Sequence, residues 1–262
     1  MFLDAIIGLL ISFIVAFLAY LKKSLNVSGM VTAILLGTII YMFGGFLVWG
    51  SLIAFFISSS LITKISEKSE KKVSKGRNYV QVLANGLVAA IFSIVYYILQ
   101  AEIFLLAAVV SIATSNSDTW ASEIGSLSKG KTFYILNFKI APKGVSGAIS
   151  GLGTFASFIG AFFIAGVFIG LYAIQYGLGF DDFLMFGGII TICGFLGNLI
   201  DSYLGGLIQA KYRGVETGTY TEKRWLPNEK VVLASGLALI TNDAVNLLSG
   251  LAASLITLVF FI

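Results

Sequence analysis

Eight stretches of the chain are continuously apolar, separated by short polar ones: residues 3–21, 30–43, 46–63, 79–99, 103–114, 145–173, 183–208 and 230–262. A helix needs roughly 20 apolar residues to cross about 30 Å of hydrocarbon. Most stretches reach that length. The second and fifth are short, which makes them half-embedded or extended by polar residues at their ends. The last is long enough for one tilted span or for a short segment followed by a full one. The pattern predicts an all-α fold: a polytopic transmembrane helix bundle of about eight spans with short loops, residues 1–262 forming a single integral membrane domain.

Composition strengthens this reading. Hydrophobic residues make up 58% of the chain and charged residues 11%, against about 25% charged in a soluble domain. A soluble globule would lack the polar residues to cover its surface, and disorder needs the opposite balance. The 29 Gly against 2 Pro suit closely packed membrane helices. The first stretch has no basic leading region and no small-residue cleavage site, so it is expected to be a retained span. The single Cys193 excludes an intrachain disulfide framework and a cysteine-based zinc site. There is no histidine, which removes a Ser-His-Asp triad, a His-ligated metal and a His proton shuttle.

Charge adds orientation. All 17 Lys and Arg fall within or at the edge of four hydrophilic stretches, residues 22–29, 64–78, 115–144 and 209–229. Alternating the spans puts these four on one face. The opposite turns, around residues 44–45, 100–102 and 175–182, hold none. The positive-inside rule makes the basic face cytoplasmic and the N-terminus external, in a multi-pass protein of the cell membrane. None of the loops could fold as a separate domain with its own core, so a site must be assembled from loops and helix ends at the membrane surface.

Carboxylates inside spans are costly and usually functional or paired. Glu67, Glu70, Glu216, Glu222 and Glu229 lie in loops beside basic residues and read as solvated charge balance. Asp4, Glu102, Asp181 and Asp182 mark the external side. Three clusters remain: Ser115-Asn116-Ser117-Asp118 through Glu123, where the fifth span meets the cytoplasm; Gly197-Asn198 through Asp201-Ser202 in the seventh span; and Thr241-Asn242-Asp243 through Asn246 in the last stretch. Asn198, Asp201 and Ser202 share a helix face by their i, i+3, i+4 spacing. The plainer reading of each Asn and Ser is hydrogen-bonded glue between helices. Three Asp with no Lys or Arg in any span are harder to explain that way, since unpaired carboxylates in hydrocarbon would be prohibitive. A hard divalent cation such as Mg²⁺ would join them through oxygen ligands; sodium or protons would also serve.

A fourth element runs from Lys139 to Thr154, where basic residues and Pro142 lead into Lys143-Gly144 and a glycine-rich stretch through Gly147 and Gly151. Read as a helix start, it would offer free N–H groups to an anion; read as packing, Gly147 and Gly151 form a small-xxx-small face. Acidic ligands, a glycine-rich anion site and many basic residues on one face suit a nucleotide or pyrophosphate held with Mg²⁺. Phosphoryl transfer needs alignment and charge neutralisation more than covalent help. It needs no general base when the acceptor is itself a phosphate, so a site without histidine can perform it on a lipidic substrate.

Four strings carry a resemblance: SNSDTWASEIG (115–125), APKGVSGAISGLGTFAS (141–157), GNLIDSYLGGLIQ (197–209) and NDAVN (242–246). Together they resemble the transmembrane protein 19-like family, long described as domain of unknown function 92, from about residue 115 to the end; the apolar N-terminal half fits in general pattern. Its plant members look like phytyl-phosphate kinases, and the family looks distantly similar to CTP-dependent dolichol kinases and membrane cytidylyltransferases. The resemblance implies a CTP- or other NTP-dependent kinase acting on a prenyl monophosphate. It carries over Asn116, Asp118, Glu123, Lys143, Asn198, Asp201, Asn242, Asp243 and Asn246. On that basis Asp118 and Asp201 are expected to hold Mg²⁺, with Asp243 as a third ligand or partner. Lys143, Gly144 and Gly147 are expected at nucleotide phosphates, Asn198, Asn242 and Asn246 to orient ligands or the acceptor phosphate, Glu123 at metal or ribose, and Lys211 and Arg213 at the prenyl phosphate. One departure is Lys143 where the family commonly has Arg: lysine neutralises phosphate but cannot clamp it bidentately. The expected partners are a prenyl phosphate, a nucleotide and membrane lipid, with no nucleic acid; a homo-oligomer is allowed. The rivals are a cytidylyltransferase using the same ligands and an ion-coupled transporter. The clustering of acids toward one face favours an enzyme over a through-path.

Overall fold

The computed structural model describes residues 1–70, 76–177 and 179–260, with the side chains of residues 68–70 outside the description. Of the predicted basic residues, Lys71, Lys72 and Lys75, and the side chain of Lys68, therefore lie outside the described residues. Among the described residues seven helices form the bundle: α1 (Phe2–Leu21), α2 (Val27–Glu70), α3 (Tyr79–Leu99), α4 (Glu102–Ser126), α5 (Gly151–Tyr176), α6 (Phe180–Leu207) and α7 (Asn242–Val259). Six of them are long and apolar enough to cross a membrane. Helix α2 is two helices joined at Gly45, whose backbone is non-helical (φ 68°, ψ −168°). Tyr41 and Trp49 would stand about 12 Å apart along an unbroken helix. Their ring centroids are 6.1 Å apart, so the two arms fold back on each other, as the separate 30–43 and 46–63 stretches predict.

Helix α4 is the axis of the bundle. Every residue from Leu105 to Ser117 is buried, and α2, α3, α5, α6 and α7 all pack against it. A helix that is apolar and small on all sides can only be an interior one. Its sequence of Ala, Val and Ser lets neighbouring backbones approach closely. The fifth span was expected to end at Thr114. The helix instead continues to Ser126, because the polar residues that end the hydropathy signal find partners on other helices. The Asn116 amide donates to Gly160 O (2.7 Å) and accepts from Ser58 Oγ (2.9 Å). Ser117 Oγ lies 2.8 Å from Ser157 Oγ.

Two further corrections concern the loops. Helix α5 begins at Gly151, not near Val145, with Ser150 Oγ accepting from Gly153 N. Gly144 (φ +75°) and Gly147 (φ +81°) hold left-handed backbone that a helix does not contain. The 230–262 stretch holds one candidate span, α7, and the segment before it is a strand rather than a helix. Residues Val231–Ser235 form a strand, Gly236 turns the chain at φ +79°, and Thr241 caps α7.

The two largest loops fold into small antiparallel sheets that an all-helical reading does not anticipate. In the first, β1 (Thr132–Tyr134) lies between β2 (Ile140–Ala141) and β3 (Ala148–Ile149). In the second, β4 (Lys211–Gly214) lies between β5 (Tyr220–Thr221) and β6 (Val231–Ser235). Glu229 pins the β4–β5 turn. It accepts from Glu216 N (2.9 Å), Thr217 N (3.0 Å) and Thr217 Oγ1 (2.6 Å), bonds that hold its carboxyl below the usual range. A lowered folded pKa means the contribution is present above the ordinary glutamate range and lost as pH falls through the lowered value. Glu229→Gln should therefore melt below the wild type at neutral pH, and the gap should close on acidification in paired thermal scans.

Contacts between loops gather the basic stretches at one end. Arg77 N donates to Ser24 O and Asn26 N to Arg77 O. Lys64 Nζ donates to Lys22 O (3.1 Å), Ser66 Oγ meets Ser126 Oγ (3.3 Å), and Ser146 Oγ donates to Glu222. At the opposite end Tyr172 reaches Glu102 across the turns that carry no basic residue.

Candidate active site at the basic end of the bundle

A cavity of about 310 Å³ opens at this end, where the last turns of α4, the C-terminal third of α6, the start of α7 and the glycine loop before α5 converge. Asp118 enters from α4, Asn198 and Asp201 from α6, Asn242 from α7, and Lys143, Gly144 and Gly147 from the loop. Seven residues singled out from four separate parts of the sequence thus line one space.

Each is held in a way its local sequence explains. Asp201 is buried, and its Oδ2 accepts from Ser249 Oγ (3.0 Å). The Asn246 amide, its orientation assigned from hydrogen bonding, donates to Asn242 O (3.0 Å) and to the same Asp201 Oδ2 (3.1 Å). Asn246 therefore orients Asp201 rather than touching a ligand itself. Asn198 donates to Ser157 Oγ (2.8 Å), which ties it to the Ser117–Ser157 pair. Among the described residues no donor reaches Asn198 Oδ1, and no acceptor reaches the buried Gln209 Nε2. An unpaired buried polar atom costs about 1–3 kcal/mol. Both residues line the cavity, so a ligand there that offers a cation or donor to Asn198 and an anion to Gln209 would remove both costs.

Glu222 was read as solvated charge, yet it lines the cavity and accepts from Ser146. No spacing or hydropathy signal marks it; it arrives through the fold of the second sheet. Asp118 and Asp201 line the same cavity, and the negative charges of Glu123 and then Glu222 bear on Asp118. Among the described residues, however, no group of three acidic side chains converges on a metal-sized point. Asp243 lines the adjoining pocket, with Gln209, Glu222, Arg224 and Asn242.

The remaining candidates are dispersed. Asn116 is wholly buried and bonds α4 to α2 and α5, away from the cavity wall. Glu123 is not among the lining residues; its charge opposes the effect of burial, which pulls the Arg77 guanidinium below its ordinary value. Arg77 sits 5.7 Å from the ring centres of both Phe55 and Phe56 and donates to Ser59 Oγ. Lys211 faces an outer groove of about 610 Å³ with Tyr134, Asn137 and Tyr220, and Lys143 lines both that groove and the cavity. Burial pulls the Lys211 ammonium down, with Glu222 opposing. Arg213 turns away, donating to Gly218 O and lying over the Tyr220 ring at 5.8 Å. Gly147 does not pair with Gly151 in a packing stripe. It packs on Gly206 of α6, while a Cβ at Gly151 would meet nothing within 4 Å.

Seven helices, six of them fit to cross a bilayer, with an acid-lined cavity at the basic end, define a polytopic helical membrane protein whose site lies at the ends of its helices. Residues 10–254 match the family described as Integral membrane protein DUF92, and the chain belongs to it. It is 31% identical to Protein PGR of Arabidopsis thaliana, over 96% of this chain and 94% of that one. It is 33% identical to the Uncharacterized membrane protein MJ0933 of Methanocaldococcus jannaschii, over 78% of this chain and 83% of the relative. Protein VTE6, chloroplastic, also of Arabidopsis thaliana, is 37% identical over 56% of this chain and 47% of its own length. No solved structure matches.

Proposed function

We propose that the chain is a membrane-embedded prenyl-phosphate kinase that transfers the γ-phosphate of CTP or another NTP to an isoprenoid monophosphate, with its basic end cytoplasmic. The observation that carries this reading is that Asp118 and Asp201 line one cavity with Lys143, Gly144 and Gly147 at the basic end of the bundle. The family resemblance, whose plant members look like phytyl-phosphate kinases, points the same way.

The donor set fits Mg²⁺. Asp118, Asp201 and the unpaired Asn198 Oδ1 are hard oxygen ligands, and Mg²⁺ commonly takes one or two carboxylates plus substrate phosphates. It therefore does not need a third converging acid, of which there is none among the described residues, and Asp243 serves as an outer partner. When bound, the ion supplies charge neutralisation across the donor phosphates. The chain's own residues do the rest. Lys143 supplies charge, and Gly144, with nothing within 4 Å of an added Cβ, lets phosphate approach closely, while Gly147 seats the loop against Gly206 of α6. Gln209 Nε2 is a waiting donor for a phosphate oxygen. Asn246 and Ser249 fix Asp201. Lys211, on the aqueous side, suits the nucleotide rather than the lipid phosphate, and Arg213 serves the second sheet. An oxygen of the acceptor monophosphate attacks the γ-phosphorus; the bond to the β–γ bridging oxygen breaks, and the nucleoside diphosphate leaves. The acceptor is already ionised, so no proton must be removed.

The purified protein in lipid nanodiscs, given geranylgeranyl monophosphate, Mg²⁺ and CTP labelled at either the α or the γ position, should place only the γ label in the lipid product. An α label in the lipid would overturn the kinase in favour of cytidylyl transfer. No labelled lipid with any NTP would overturn both.

A further inference from the structure

Two apolar spaces could take a lipid chain. One, about 70 Å³, is enclosed by α1, α2 and α3 and shares no lining residue with the acid-lined cavity. The other, about 520 Å³, is an open groove on the outer side of α5 and α6, lined by Phe133, Phe138, Phe155, Phe158 and Phe195. It shares Ile149, Ser150 and Thr154 with the acid-lined cavity, so the two spaces meet along the start of α5.

We propose that this phenylalanine groove holds the isoprenoid chain of the substrate, which reaches the site sideways from the bilayer between α5 and the first sheet; the inference rests on the kinase reading for its phosphate end. Three features support the placement. First, the rings are exposed where solvation would be costly in water but free in lipid: Phe155 is 64% exposed and Phe138 72%. Second, the groove is built rather than incidental. Phe158 and Phe195 pack edge to face at 5.8 Å and join the two helices along its floor. Phe138 is presented from a left-handed backbone (φ 55°) at the β1–β2 turn, a conformation that costs a non-glycine residue free energy and persists only where its surroundings enforce it. Third, the direction is right. Phe158 lies seven residues beyond Gly151, or ~10 Å along the helix, so the groove descends from the polar cavity toward the hydrocarbon. A phosphate among Lys143, Gly147 and Gln209 would leave its first isoprene units on the rings and the remainder of its tail in lipid.

Geranylgeranyl monophosphate carrying a diazirine on its chain, irradiated with the full-length protein in nanodiscs without nucleotide, should label Phe155, Phe158 or Phe195, and unmodified geranylgeranyl monophosphate should compete the label away. Label on the α1–α3 cavity, at Phe56 or Val82, would overturn the proposal. So would label scattered over lipid-facing residues and indifferent to the competitor. In turnover, Phe155→Gln with Phe158→Gln should lower the kcat/KM ratio of geranylgeranyl over dimethylallyl monophosphate by about tenfold or more, the scale of lost apolar contact. Phe162→Gln, equally lipid-facing on α5 but outside the groove, should leave that ratio unchanged; a ratio that moves equally in both variants would overturn the groove. Labelling needs no phosphoryl transfer. A protein that labels in the groove but transfers nothing rejects the kinase alone, and one that transfers but labels elsewhere rejects the groove alone.

Discussion

Asp118→Asn and Asp201→Asn should each lower phosphoryl transfer about a thousandfold while leaving a folded protein. The magnitude is that of removing one charge from a site built to stabilise developing phosphate charge. The fold should survive because the substitutions keep the shape of the side chain. In Asp201→Asn, Ser249 Oγ and the Asn246 amide both donate to a single carboxylate oxygen, which an amide oxygen can replace. If the two acids serve one ion, the double variant should be no worse than either single one, the non-additivity expected of groups acting as a unit. Asp243→Asn is the internal contrast: it lies in the adjoining pocket, and its loss should be nearer tenfold. Turnover across a Mg²⁺ series, paired with thermal unfolding, checks all four proteins. Full activity in Asp118→Asn or Asp201→Asn would remove the basis of the metal assignment. A loss in Asp243→Asn as deep as in the other two would mean that the pockets act as one.

These outcomes bear on how much of the molecule its sequence carries. The polytopic helical architecture and the gathering of the described basic stretches at one end follow from hydropathy and charge, because a bilayer penalises both errors heavily. The convergence of Asp118, Asn198, Asp201 and Asn242 on one cavity was legible because acids and amides in or beside apolar stretches are rare, and Lys143 through the glycine-rich string that it leads into. Hydropathy failed where polarity is satisfied internally. Asn116 looks like a ligand by type, yet both ends of its amide are spent on Gly160 and Ser58. The same effect hid the last turns of α4. Val231–Ser235 failed for the converse reason: it is apolar without being helical, and only the pairing of β6 with β4 reveals it as a strand. Glu222 was out of reach, since its place depends on how the second sheet folds over the cavity.

Gly147→Ala tests the wall opposite the acids. Two separate costs fall on this one methyl group. The backbone at Gly147 is left-handed (φ +81°), and a Cβ there would stand 2.5 Å from Gly206 Cα and 2.8 Å from Gly206 N. Both obstacles are backbone atoms of α6, so no side chain can rotate away; the loop or the helix must move. Strained dihedrals and overpacking each cost about 1–3 kcal/mol, so a combined loss of roughly 2–6 kcal/mol and a melting temperature lower by several degrees are expected. Gly144→Ala separates the two costs. It carries the same handedness (φ +75°) with nothing within 4 Å of the added carbon, so it should lose only the conformational part. Because the loop also forms the cavity wall, its retreat from α6 should raise the nucleotide KM in Gly147→Ala more than in Gly144→Ala. Equal melting temperatures in the two variants would show that the contact with Gly206 is not what holds the glycine loop over the site, and the phosphate-binding role assigned to that loop would lose its structural support.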